Sequence, residues 1–269
     1  MTAGSGDYTF TVTAPPNAAA TLAITSAGSP APITPGHGGD VSLLVEGHST
    51  AGGSATISAD VPDGWTAQAT PATLPLTPAE TADLASVHIT VPSGVAGGTY
   101  PVTVTAKAPD GTTATTTVDP AVFGVWAAGT TAVASSFHAP NVVDGATRTY
   151  DASNAIDGSP ATFWNDDTQS VYPDTLTIRP PSAIPLPGVG FASISDGVPT
   201  DFTVQTWDGS QWVTQAEVSG NTAVHRWIPF TATVSTTQVR VVVSATQDGS
   251  FTPDRRAHSV GSAAVMLFK

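Results

Sequence analysis

Cysteine is absent from this chain of 269 residues, so it has no disulfide framework, no thiolate metal site and no cysteine nucleophile. Its stability has to come from packing or from bound ions. Basic side chains are scarce too: 8 Lys and Arg stand against 21 Asp and Glu, a formal charge of −13. A surface of that sign repels phosphate backbones and anionic headgroups, which argues against nucleic acid and membrane partners. No apolar run is long enough to span a bilayer, and no charged-then-apolar leader is visible. The Lys-poor, Thr-rich style is that of an exported bacterial protein, whose signal would then lie upstream.

What the chain has in abundance is Thr, Ala and Val, with 25 Gly and 23 Pro, the palette of short strands joined by turns. The length predicts two domains, each with its own core. Period-two segments recur at "TLAIT", "DVSLLVE", "SATISAD" and "SVHITV", then at "DTLTIR", "VGFASI", "DFTVQTW", "QWVTQAEV", "VHRWIPFTA", "QVRVVVSA" and "AAVMLF". Asp208–Gly209 reads as a two-residue hairpin turn. "GDYTFTVTA" at Gly6 to Ala14 and "GTYPVTVTA" at Gly98 to Ala106 share a pattern, separated by about the length of one immunoglobulin-like domain. The first copy, within residues 1–14, reads as the closing strand of a preceding domain or as an N-terminal strand. Pro120 ends the first run of strands, a connector follows over 121–127, and Trp126 is expected to pack at the junction.

The densest polar and aromatic stretch is "NAIDGSPATFWND", from Asn154 to Asp166. Its carboxylates Asp157 and Asp166 invite a catalytic reading, but glycoside hydrolysis needs two carboxylates converging from opposite sides, roughly 5 to 10 Å apart. Residues of one turn-rich loop do not meet that requirement. No G-x-S-x-G, H-E-x-x-H or phosphate-loop string is present, and the six His are scattered without ligand spacing. The reading is therefore of ancillary modules rather than an enzyme. Asp157, Ser159, Thr162 and a carbonyl near Asn154 could turn inward around a calcium ion, or Asp157 could simply form an Asp-Gly turn.

Two resemblances sharpen this. The turns "PDGW" (Pro62 to Trp65) and "LTPAE" (Leu76 to Glu80), with the strand from Pro92 to Tyr100, resemble the NPCBM-associated Ig-like domain found beside carbohydrate-binding modules of bacterial glycosidases. The likeness covers residues 15–120 and implies a spacer without chemistry. Further on, "ASNAIDGSPATFW", "DFTVQTWDGSQWVTQAEV", "TTQVRVVV" and "GSAAVMLF" resemble, in order, the signature segments of discoidin, or coagulation-factor type C, domains, which include family 32 carbohydrate-binding modules. That likeness spans 128–269. The expected fold is thus all-β: an Ig-like sandwich followed by an eight-stranded jelly-roll, galactose-binding-like sandwich.

The second resemblance implies a structural calcium held by the Asn154 carbonyl, Asp157, Ser159 and Thr162, with Ala264 at the position where the family carries Glu. It also makes Trp164 and Trp212 core residues, each stabilising the sandwich by about 2 to 4 kcal/mol. Trp227 reads as core as well, and Asp166 as facing solvent. A sugar site needs an exposed ring and planar polar groups on loops outside the core pattern. His138, Arg148, Tyr172, Phe251, Arg255 and His258 are the candidate ligand contacts. The function these features imply is carbohydrate binding and spacing by a monomeric, secreted bacterial region, beside an absent catalytic domain of a glycoside hydrolase. Purely structural modules packed on that domain, or an adhesion module, are the alternatives.

Overall fold

The computed structural model describes residues 19–159, 161–168, 171–195, 197–247 and 264–269. Residues 1–14 therefore lie outside the described residues, as do Phe251, Arg255 and His258. Two all-β sandwiches follow one another along the chain. Among the described residues no helix is long and apolar enough to cross a membrane.

In the first, one antiparallel sheet orders its strands Thr21–Ser26, Gly38–His48, Thr81–Thr90 and Thr66–Thr70. The facing sheet orders Thr73–Pro75, Ser54–Asp60, Val102–Lys107 and Thr113–Val118. Alternation drives the layering: Val41, Leu43 and Val45 point inward from Gly38–His48 and meet Ile57, Val87, Ile89, Val102 and Val104. The "PDGW" turn closes through Trp65 N–H to the Pro62 carbonyl at 3.0 Å. It delivers the buried Trp65 ring onto Tyr100, with centroids 5.0 Å apart. The strand expected at Gly98 to Ala106 is broken into Gly98–Thr99 and Val102–Lys107. Pro101, which has no N–H to donate to a ladder, sits at the break.

In the second sandwich, a five-stranded sheet runs Thr131–Ala134, Asp174–Arg179, Val239–Thr246, Pro199–Trp207 and Trp212–Val218. It faces a four-stranded sheet of Trp164–Asn165, Ala264–Phe268, Ile184–Ala192 and His225–Thr236. Val239, Val241 and Val243 fill the interior with Leu176, Ile178, Leu267 and the fully buried Trp164. Phe191 and Phe202 stack across it at 4.8 Å with planes 17° apart.

Three local expectations are corrected. The Asp208–Gly209 hairpin is a four-residue loop, because Trp207 pairs with Trp212 and the Asp208 carboxylate caps the N–H groups of Ser210 and Gln211 at 2.7 and 2.8 Å. Trp212 is half-exposed on the outer face, since it lies opposite outward-facing Trp207; the Arg240 guanidinium covers it at 4.3 Å. Trp227 is only partly buried, packed on a small cluster of Phe123, Tyr150, Phe163, Ala192, Met266 and Phe268.

The connector joins both sandwiches by backbone pairing. Ala121–Val122 pairs with Gly98–Thr99, and Ile33 exchanges hydrogen bonds with Ala121 and Phe123. Gly124 and Lys269 then exchange N–H to carbonyl bonds of 2.7 and 2.8 Å. Trp126 enters the second core, donating from Nε1 to the Leu267 carbonyl at 2.7 Å.

Candidate functional site

The polar stretch from Asp151 begins with a single 3-10 turn, Ala152–Ala155, whose alanines at both ends are buried. Asn154 Nδ2 donates to the Thr149 carbonyl at 2.6 Å and fixes the entry of the loop. Gly158 follows Asp157 at φ +79°, a left-handed conformation suited to glycine. That bend lets Asp157 serve the loop twice. Its Oδ1 accepts the Ser159 N–H at 2.8 Å, and its Oδ2 accepts the Thr162 hydroxyl at 2.6 Å.

Asp157, Ser159 and Thr162 are thus brought together, and Asn154 stands on the turn before them. Ala264 pairs with Asn165 in the neighbouring strand and has only backbone oxygen to offer. The donor set is all hard oxygen, which fits calcium in kind, with one negative charge from this loop. Among the described residues no group of three or more His, Cys, Asp or Glu gathers as a metal cluster.

Asp166, expected to face solvent, is fully buried. The short strand Trp164–Asn165 runs inward beside the closing strand and carries Asp166 with it. Its Oδ2 accepts the Thr168 N–H at 2.8 Å and the Thr168 hydroxyl at 2.6 Å. Asp174, also buried at 2% exposure, stands on the other side of the same hydroxyl, with Oδ1 at 3.0 Å. Desolvation first, and the charge of Asp166 second, push the Asp174 carboxyl up to about 6. Residue types alone held no signal for this pair: the Asp166–Thr168 turn is local, but Asp174 and Ser135 join it only through the fold.

The proposed sugar contacts divide. His138 is half-buried: its N–H bonds the Asn165 carbonyl at 2.9 Å, and its ring meets the edge of Tyr150 at 5.2 Å. Its Nδ1 donates to the Ala139 carbonyl at 2.6 Å. Arg148 is exposed on the hairpin Asn141–Val143 and Ala146–Arg148, opposite Asn141. Tyr172 packs on the second core, and its hydroxyl is 2.6 Å from Thr246 Oγ1, so it is a scaffold group more than an open platform. Sequence reasoning passed over Phe137, whose ring is 52% exposed beside His138. An aromatic outside any alternating segment, three residues before Pro140, was the available signal.

A separate cleft of about 390 Å³ lies at the junction of the sandwiches, lined by Pro35, Val95, Val125, Pro187 and Lys269 among others. Among the described residues, His138, Arg148 and Tyr172 do not line it.

Among curated proteins none matches this chain. Solved structures similar to part of it include chitosan-binding module 1 from a chitosanase/glucanase of Paenibacillus sp. IK-5, 21% identical over 51% of this chain and 92% of that one, with a TM-score of 0.39. The family 32 carbohydrate-binding module of C. perfringens NanJ, solved with galactose, is 16% identical over 51% of this chain and 90% of that one, TM-score 0.41. Chitosan-binding module 2 of the Paenibacillus enzyme, solved with chitotriose, is 18% identical over 52% and 95%, TM-score 0.40. Residues 33–109 match the family model described as "NPCBM-associated, NEW3 domain of alpha-galactosidase", the domain that the turns at Trp65 and Glu80 resemble.

Proposed function

We propose that this chain is a non-catalytic carbohydrate-binding and spacer region of a secreted bacterial carbohydrate-active enzyme, a glycoside hydrolase. The observation that carries the reading is the exposed ring of Phe137, 52% open to solvent at the start of a loop that continues through His138 to Arg148. A flat apolar face of this kind covers the C–H face of a pyranose, while imidazole and guanidinium groups take its hydroxyls. The first sandwich supplies distance rather than chemistry, and its family match to a domain described from alpha-galactosidase supports a glycosidase as the parent. Tethering raises local enzyme concentration on a polymer even where single-site affinity is weak.

Calcium belongs to the proposal through Asp157, Ser159, Thr162 and the Asn154 carbonyl. Bound there, it would supply a charged centre that stiffens the loop leading into Phe163 and Trp164. The test is a glycan array followed by calorimetry on the best hit. Binding that weakens at least about tenfold in Phe137→Ala supports the proposal. A folded protein that binds no plant, mucin or microbial glycan overturns it.

A further inference from the structure

Alternation sends Ile178, Val204, Val239 and Val241 into the second core, so the residues between them face outward across the five-stranded sheet. Register lines these up in rows. Val133, Thr177, Arg240, Gln205 and Thr214 stand opposite one another, in that order, across all five strands. Beside that row Arg179 stands opposite Thr131, and Trp207 opposite Trp212.

Both arginines are held by neutral groups. Arg240 donates from Nε to Gln205 Oε1 at 2.7 Å and lies 4.3 Å over the Trp212 ring, and Gln205 in turn donates to Thr214 Oγ1 at 3.1 Å. Arg179 donates from Nε to Gln238 Oε1 at 3.2 Å, and the Gln238 carbonyl accepts the Trp207 N–H at 2.9 Å. Among the described residues neither guanidinium donates from its terminal nitrogens, and the only ion pair joins His88 to Asp40 in the other sandwich. Arg179 is exposed, and Arg240, Gln205, Trp207 and Trp212 are partly so. Their register puts Arg179 and Arg240 on a diagonal of roughly 7 to 8 Å, short enough for two such long side chains to meet one anion. Asp201 and Glu217 stand at the far ends of the strands that carry the two indoles, and Asp208 between them caps Ser210 and Gln211.

We propose that this face is a second glycan-binding surface, separate from the loop around Phe137, and that it takes an acidic polysaccharide through the carboxylate of a uronic acid residue. A planar guanidinium fork matches a carboxylate in shape and charge, and a fork already held by an amide loses little freedom on binding. The Trp207–Trp212 pair, with centroids 5.5 Å and planes 65° apart, supplies apolar contact for sugar C–H groups beside that charge. The net charge of −13 opposes a polyanion at long range. At physiological salt that repulsion is screened beyond about 8 Å, so the two adjacent cations decide the contact.

The test titrates the whole chain with oligogalacturonate in a calorimeter, beside a neutral galactan of equal length and poly-L-glutamate of equal charge. The proposal expects oligogalacturonate to bind, more weakly at high than at low salt. Affinity should fall at least about tenfold in Arg179→Gln and in Arg240→Gln and persist in Phe137→Ala. Arg179→Lys should recover only part of the loss, since it restores the charge and not the fork. Because Arg179 is exposed, its variants carry the test even if Arg240→Gln, deprived of its stack on Trp212, misfolds. Binding lost in Phe137→Ala and intact in both arginine variants would overturn the proposal and move the acidic sugar to the loop. Equal affinity for poly-L-glutamate would overturn it in favour of an acidic protein partner, and equal affinity for the galactan would remove the role of charge. Absence of binding to oligogalacturonate and to alginate oligosaccharides alike would also overturn it.

Discussion

The indole of Trp164 donates from Nε1 to the Ser136 carbonyl at 2.7 Å, so the largest ring of the second core holds the chain one residue before Phe137. Core packing and the presentation of the candidate sugar platform therefore share one hydrogen bond. Trp164→Phe keeps much of the apolar bulk and removes that bond. The expected result is a loss of about 1 to 3 kcal/mol in urea unfolding, together with weaker glycan binding. A stability loss with unchanged glycan affinity would separate the platform from the core.

Phe137→Ala should behave in the opposite way. Its ring is half in solvent, so truncation is expected to change stability by no more than about 0.5 kcal/mol while affecting ligand affinity. Melting and calorimetry on the same sample make the comparison.

The pH dependence of the chelator-treated protein follows from Asp174. Its folded value, about 6, lies above the ordinary 3.8, so the native state holds this proton more tightly than the unfolded chain. The stabilisation is fully present below about pH 4 and is lost as pH rises through about 6. In scanning calorimetry with EDTA, Asp174→Asn should therefore melt higher than wild type at pH 7.5, with the difference shrinking toward pH 4.5.

Asp157→Ala removes the acceptor for both the Ser159 N–H and the Thr162 hydroxyl. A loss of about 1 kcal/mol is expected without calcium, because water can replace part of what is lost at this exposed turn. If the loop holds calcium, the loss grows in its presence, which paired denaturation curves with and without chelator would measure.

Strands were legible in the sequence wherever one face is buried: Val239, Val241 and Val243 alternate as written, and the period-two segments from Thr21 onward each overlap a strand among the described residues, with ends that differ by one or two positions. Trp212 was misplaced because a motif resemblance outweighed the alternation, although the register opposite Trp207 points it outward. The fate of Asp166 was not legible at all. Its place beside Asp174, across the Thr168 hydroxyl, is set by the fold and not by any local pattern. The Asp157 turn, by contrast, is local, and the spacing of Asp157, Ser159 and Thr162 was enough to anticipate their meeting.

The paired backbone bonds between Gly124 and Lys269 also have a mechanical meaning. Tension applied through the first sandwich reaches the connector at Gly124 and is handed directly to the strand Ala264–Phe268, which lies in the middle of its sheet. Backbone pairing thus couples the connector to an interior strand of the second sandwich and not to the hairpin that carries Arg148.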